Sequence, residues 1–273
     1  MWKNKKKKGN IKFMKKILLS ILTGVLSIGL LVGCSSDTET TYDSIIEEGE
    51  MTFAMSGAYP PFNYMDEGGE LVGFDIDIAN AIANEMGVKA EPITADFDGI
   101  IAGLNGHRYD MVIGSTAITE ERLEEANFSN PYYYDGAQFF AQTGSGLSSI
   151  EDLEDGVVGV VTGTTFLEEL EKMDNIAETL QFSRYVDNIM AVEQGRADGL
   201  VTGLFVGLQA PKEYGVDIEP VGDLLYTEDI AIAIRKDDAK LLEEVNNALD
   251  AIVESGEYEE ISKKWFGINL LEQ

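Results

Sequence analysis

The 273 residues include one cysteine, Cys34, one histidine, His107, and 20 lysines and arginines against 49 aspartates and glutamates. A single thiol excludes an internal disulfide framework, so a packed core has to hold the fold. His107 lies in a polar turn beside Asn105 and Gly106 and is assigned no role. The scarce bases are also unevenly placed. Eight of them fall in residues 1–33, which hold no acid, leaving twelve bases against forty-nine acids and a formal charge of −37 on the remainder. A surface of that sign repels nucleic acid and anionic lipid at long range, and neither is expected as a partner. Solubility in a salty or acidic habitat is the simple explanation. No apolar run is long enough for a permanent bilayer span, which needs roughly 20 residues; the longest candidate, Ile17 to Leu31, has 15.

That run is nevertheless informative. Lys5 to Lys8 and Lys15, Lys16 precede it, and Leu31-Val32-Gly33-Cys34 ends it. A charged segment, a short apolar segment and a small residue before the cut define a secretion signal. The ending resembles a lipobox, which implies cleavage before Cys34, acylation of that cysteine, and a protein held at the outer face of the cell membrane. Met14-Lys15-Lys16 offers an alternative start. The expected organisation is a signal peptide over 1–33 and a lipid anchor with polar spacer over 34–43. About 230 residues follow, enough for one large or two modest lobes with cores of their own.

Apolar runs and helical periodicity alternate through this remainder, as in an α/β protein. Strands are expected at Thr52 to Met55, Met111 to Ile113, Val157 to Val161, Gly199 to Val201 and Ile230 to Ile234. Ile78, Ala79, Ile82, Ala83 and Met86 mark one helical face, and Leu241 to Ile252 another helix. Thr165 followed by Glu168 reads as a capping box. Two stretches are alike. Phe97-Asp98-Gly99-Ile100-Ile101-Ala102 leads to Arg108-Tyr109-Asp110-Met111-Val112-Ile113-Gly114, and Val186-Asp187-Asn188-Ile189-Met190-Ala191 leads to Arg196-Ala197-Asp198-Gly199-Leu200-Val201. Each follows a strand that ends in a hydroxyl residue and glycine, Ser56-Gly57 and Thr162-Gly163. The repeat predicts two similar α/β lobes, with ligand bound where strand ends and helix N-termini face each other, and closure by hinge motion. The chain is expected to cross between lobes near Gly136 to Phe140 and Asp229 to Ile232, giving one lobe over 44–136 and 230–273 and the other over 137–229.

Gly73-Phe74-Asp75-Ile76-Asp77-Ile78 resembles the family 3 solute-binding proteins of ABC transporters, which serve polar amino acids. Tyr59-Pro60-Pro61-Phe62, Ile118-Thr119-Glu120-Glu121-Arg122, Phe128-Ser129-Asn130-Pro131-Tyr132-Tyr133, Gly163-Thr164-Thr165 and Lys264-Trp265-Phe266-Gly267 agree in order. The resemblance runs from about residue 44 to 268. It implies the type II periplasmic-binding-protein fold, two lobes joined by a two-stranded hinge, acting as a monomer without cofactor or metal and delivering its solute to a membrane permease.

Arg122 stands in the first turn of a helix capped by Thr119, where a cation opposes the helix dipole and is explained better by anion binding. The resemblance assigns it the grip on a ligand carboxylate, through two parallel hydrogen bonds. By the same resemblance Tyr59 and Phe97 place rings against the ligand, Gly114, Ser115 and Ala117 offer backbone groups, and Thr162, Thr164 and Thr165 meet its acidic end from a helix N-terminus. Asp75 and Asp77 begin a helix, where complementing its dipole suffices to explain them. Asp66, Glu67 and Asp135 are expected on the solvated surface.

The resemblance weakens at the ammonium end. Family members place carboxylates at the positions of Ser56 and Gly203, and both are missing here. Glu228 or Asp229 could serve instead, or the ligand could be a carboxylic acid without an amine. Two other functions use this fold. A cyclohexadienyl dehydratase would need a general acid in the cleft, and none stands out in the motifs. A sensory domain would usually continue into a transmembrane helix, whereas this chain ends at Gln273.

Overall fold

The computed structural model describes residues 40–272. The expected signal peptide, Cys34 and the first part of the spacer lie outside the described residues. The described chain begins with α1 (Thr41–Glu48), opened by a reciprocal Thr40–Asp43 capping box and closed by Gly49 in the left-handed region. Residues 41–43, expected in the spacer, are thus its first turn, and Thr41 Oγ1 donates to Asp238 Oδ1 at 2.6 Å.

After α1 come β1 (Glu50–Met55), a small antiparallel sheet of β2 (Ala58–Tyr59), β3 (Asn63–Met65) and β4 (Leu71–Val72), then α2 (Phe74–Met86) and β5 (Lys89–Thr94). A single 3-10 turn, Phe97–Gly99, leads into α3 (Ile100–Asn105), followed by β6 (Met111–Ala117), α4 (Glu120–Glu125) and β7 (Ala126–Phe128). The chain leaves this region through β8 (Tyr133–Gln142). The second region contains β9 (Gly156–Val161), α5 (Thr165–Leu170), β10 (Ile176–Phe182), α6 (Tyr185–Glu193), β11 (Gly199–Gly203), α7 (Leu204–Tyr214) and β12 (Ile218–Pro220). It returns through β13 (Tyr226–Arg235) to α8 (Ala239–Ser255) and α9 (Glu257–Phe266).

The repeat in the sequence corresponds to a repeat in topology. β1 pairs in parallel with β5 on one side and β6 on the other; β9 pairs in parallel with β10 and β11 in the same way. The main sheet runs β10-β9-β11-β8-β13-β6-β1-β5, with β12 and β7 off this path. Two lobes therefore meet through one antiparallel pair, β8 and β13, in which Tyr133–Ala137 faces Ile230–Tyr226. The five strands expected from the sequence lie within β1, β6, β9, β11 and β13.

Helix α8 shows how periodicity packs an element. Leu241, Val245, Ala248, Leu249 and Ile252 are buried, one stripe at helical spacing with Leu242 packed beside it, and the opposite side of the helix faces water. On α2 the expected face is buried from Ile78 to Ala83. The capping box at Thr165 is not formed. The N-cap is Thr164, whose hydroxyl donates to Val161 O at 2.7 Å instead of capping, while Thr165 is the first helical residue and turns its hydroxyl to Glu228, 63 residues away. Among the described residues, no helix is long and apolar enough to cross a membrane.

Candidate functional site

A cavity lies where the parallel strands of both lobes end, on the same side as the β8–β13 pair. Of the eleven expected site residues, nine line it: Ser56, Tyr59, Phe97, Gly114, Ser115, Ala117, Arg122, Thr164 and Thr165. Thr162 and Gly203 do not. Thr162 completes the β9–β10 edge, its N–H donating to Phe182 O at 2.9 Å and its hydroxyl turned to the same carbonyl. Gly203 presents its N–H to Tyr59 Oη at 3.3 Å.

Arg122 sits where its capping context predicts. Its backbone N–H donates to Thr119 Oγ1 at 3.1 Å, and the side chain folds back from α4 over the cavity. Nη1 donates to Ala117 O at 2.9 Å, and Nη2 reaches across the cleft to Gly163 O at 3.0 Å. The guanidinium carbon lies 5.6 Å from the centre of the Phe97 ring. Two of the five N–H groups of the guanidinium are engaged by carbonyls, which leaves donors for a carboxylate. Burial lowers the pKa of the group, and Glu228, Glu168 and Glu121 oppose that shift. It remains a cation.

Aromatic rings form much of the wall. Tyr59 packs 5.9 Å from Phe62 and edge-on to Tyr185 at 5.7 Å, and its hydroxyl lies 3.5 Å from Thr202 Oγ1 in the second lobe. Burial and the nearby Asp135 hold that phenol protonated, its pKa well above the usual value. Phe205 and Phe266 meet 5.4 Å apart beyond the cavity. The lobes are in contact across the cleft, and contact is close enough at one point to require glycine. Gly163 has φ +76°, and a Cβ there would lie 2.7 Å from Asp98 Cα.

Two of the acids do not lie where the sequence suggested. Asp135 is buried, not solvated, because Tyr133, Asp135 and Ala137 alternate on the inward face of β8. Its carboxylate lies against the Gly203 backbone, where a Cβ on residue 203 would collide with it. The absence of an acid at residue 203 therefore does not leave that end of the cavity without a carboxylate. Burial raises the Asp135 pKa to about 7 and the facing Glu228 adds to this, against hydrogen bonds from the N–H groups of Gly136, Phe205 and Leu204. Glu228, one of the two alternatives raised from the sequence, also lines the cavity; Asp229 does not. Burial raises the Glu228 pKa too, opposed by the Thr165 hydroxyl and Arg122.

Asp75 differs from its dipole-based reading as well. It is fully buried and accepts from Asn63 Nδ2 at 2.7 Å, Ser115 Oγ at 3.0 Å and Tyr132 Oη at 2.7 Å. Ser115 has φ +56°, an unusual conformation for a residue with a side chain, and its N–H meets Tyr132 Oη at 3.2 Å. The Asp75 cluster thus fixes the bend of β6 that lines the cavity. Burial raises its carboxyl to about 6 in spite of the three donors. Asp77, by contrast, is tied at the surface to Lys264 Nζ and Trp265 Nε1, each at 2.6 Å. No group of three or more His, Cys, Asp or Glu suited to a metal ion occurs among the described residues.

A two-lobed α/β clamp with a cavity at its hinge, aromatic-walled and holding an arginine and two acids, defines the periplasmic binding proteins as a class. Residues 51–268 match the family described as bacterial extracellular solute-binding proteins, family 3, and the chain belongs to that family. The chain is 28% identical over 254 residues to the L-cystine-binding protein TcyJ of Escherichia coli (strain K12), covering 91% of this chain and 96% of the relative. Identity to ABC transporter arginine-binding protein 1 of the same strain is 32% over 257 residues, 93% of this chain and 99% of that protein. A solved ancestral amino acid-binding protein, a precursor of cyclohexadienyl dehydratase, is 33% identical with a TM-score of 0.78, covering 83% of this chain and 100% of its own. These relatives are solute-binding proteins, and the chain is an extracytoplasmic solute-binding protein.

Proposed function

We propose that this protein is the lipid-anchored receptor of an ABC importer, binding a small amino acid or related carboxylate and presenting it to the permease. The observation that carries the reading is the Arg122 guanidinium, half-buried between the lobes with spare donors, beside the Phe97 ring. A ligand carboxylate takes those donors, Tyr59 and Phe97 exclude water, and the Thr164–Thr165 end of α5 joins from the other lobe as the cleft closes. In this reading one lobe comprises 44–136 and 230–273 and the other 137–229, turning about β8 and β13. The Leu31 to Cys34 motif supports anchoring at Cys34 on the outer face of the cell membrane. Metabolic labelling with palmitate tests that part, and Cys34→Ala should abolish the label.

Thermal-shift screening of residues 40–273 against amino acids, opines, betaines and small carboxylates tests the ligand class, since a selective ligand raises the melting temperature by linkage. Arg122→Ala should abolish the shift while leaving the unliganded melting temperature within a few degrees. Wild-type affinity in the variant would remove the carboxylate grip. A second reading gains from one observation. Asp135 is a buried acid lining the cavity, where a dehydratase needs its general acid, and burial raises its pKa to about 7. Incubation with prephenate or arogenate separates the two, because only the enzyme yields an aromatic product.

A further inference from the structure

The Lys264-Trp265-Phe266-Gly267 motif lines no part of the cavity, yet its contacts lead there. Lys264 Nζ and Trp265 Nε1 donate to the same Asp77 oxygen, each at 2.6 Å, and the Trp265 ring meets Tyr64 edge-on at 6.3 Å. Gly267 ends α9 in the left-handed region, its N–H donating to Lys263 O at 3.0 Å. The last turn of α9 is thereby pinned to α2 and β3 in the first lobe. Phe266, in that turn, packs 5.0 Å from Phe62 and 5.5 Å from Phe74, both in its own lobe. It also lies 5.4 Å from Phe205 at an interplanar angle of 63°, and Phe205 stands in the first turn of α7 in the second lobe. This pair joins the lobes through side chains, separately from the chain crossings at β8 and β13. Two features tie it to the binding site. Phe62, which backs Phe266, also stacks on Tyr133 of β8 at 4.7 Å and on the cavity ring Tyr59 at 5.9 Å. On the other side, Leu204, the residue before Phe205, donates its N–H to Asp135 Oδ1 in the cavity wall at 3.1 Å.

We infer that Phe266 and Phe205 form an aromatic clasp between the lobes, made as the cleft closes, which holds the start of α7 beside Asp135 and so sets how long a ligand stays bound. The inference rests on the ligand-binding reading above. Phe266 is a positioning residue: it touches no ligand and acts through α7. Hinge rotation about β8 and β13 carries α7 away from α9, which stays pinned by Asp77. Attraction between rings is short-ranged, and a gap of about 1 Å already forfeits up to half of it. The pair therefore favours the closed clamp over the open one. Aromatic pairs of this geometry shift an equilibrium by about 2- to 12-fold.

Ligand affinity and protein stability are measured on one double-mutant cycle of wild type, Phe205→Leu, Phe266→Leu and the double variant. Leucine keeps apolar bulk at both positions and removes the ring, so the fold is retained. L-arginine, L-glutamine and L-histidine serve as probes in titration calorimetry and stopped-flow release, and urea denaturation is run without probe. At least one probe should bind. Each single variant should weaken it by about 2- to 12-fold, mostly through faster release, and the double variant should bind little worse than either single one. Coupling between the two positions should be smaller in unfolding, because the contact is made on closure. If the two losses multiply in affinity, or if affinity is unchanged and coupling appears in unfolding alone, the rings only pack and the clasp is wrong, with the ligand-binding reading intact. If none of the three probes binds the wild type, the amino-acid reading falls, and the inference with it.

Discussion

Asp75 makes the unliganded protein less stable as pH rises, and the size of that effect follows from its surroundings. In the unfolded chain its carboxyl titrates at the ordinary value of 3.8, whereas burial raises it to about 6 in the folded protein. The folded state therefore holds the proton more tightly. Its stabilising contribution is complete below about pH 3.8 and is lost as pH rises through about 6. At 1.36 kcal/mol per unit, the full difference amounts to about 3 kcal/mol, of which about 2 kcal/mol is lost between pH 4.5 and pH 8. That is a large share of the 5–15 kcal/mol typical of a folded domain. Asp75→Asn carries the neutral form at every pH and retains an oxygen for Asn63 and Ser115. Urea denaturation of residues 40–273 at pH 4.5, 6, 7 and 8, followed by the fluorescence of Trp265, measures both proteins. The wild type should lose about 2 kcal/mol more than the variant across this range, most of it before pH 7. The remaining acids titrate equally in both proteins and cancel. Parallel stability curves for the two would refute the argument that Asp75 is buried as a raised-pKa carboxyl.

If the ligand is an amino acid as proposed, its affinity should respond to pH through Asp135, which Glu228 faces from β13, Tyr59 from β2 and Tyr133 from its own strand, with Arg122 beyond Glu228. A cationic group beside Asp135 lowers its pKa from about 7, so affinity should fall as pH drops below 7 in the wild type and stay flat in Asp135→Asn, as read by calorimetry. Gly163→Ala places a Cβ against Asp98 at a backbone φ that disfavours alanine; it should weaken ligand binding at least tenfold, with less effect on the stability of the unliganded protein. Tyr59→Phe removes the hydroxyl that meets Gly203 N–H and lies near Thr202, and should speed ligand release several-fold in a stopped-flow assay.

The parts of this molecule that local sequence governs were readable before the structure. The periodicity of α8, the Thr119 cap that places Arg122, and the Ser56-Gly57 and Thr162-Gly163 strand ends each depend on residues a few positions apart. The topological repeat was visible for the same reason, since each copy is a short local unit. What could not be read depends on partners distant in the chain. Asp75 is buried by contacts 12, 40 and 57 residues away, so a local reading sees only a helix start. Thr165 is the first helical residue rather than the cap, and its hydroxyl meets Glu228 far along the chain, which no local pattern signals. Asp135 did carry a signal: it alternates with Tyr133 and Ala137 along an otherwise apolar strand, which places it inward. Acidic composition masked it, because with so many acids on the surface one more draws no notice.

The pairing of β8 with β13 has a kinetic consequence. In a rotation about these strands, atoms close to the axis travel least and atoms at the far rim of the cleft travel most. In the proposed closure the β8–β13 strands move least, whereas Gly163 and Thr164 belong to the swinging rim. A ligand can therefore meet Arg122 and the rest of the fixed lobe while the cleft is open, and meets Thr164 and Thr165 only as the rim arrives. Capture then proceeds in a fixed order, with charge recognised first and enclosure last, and release runs through the same sequence backwards.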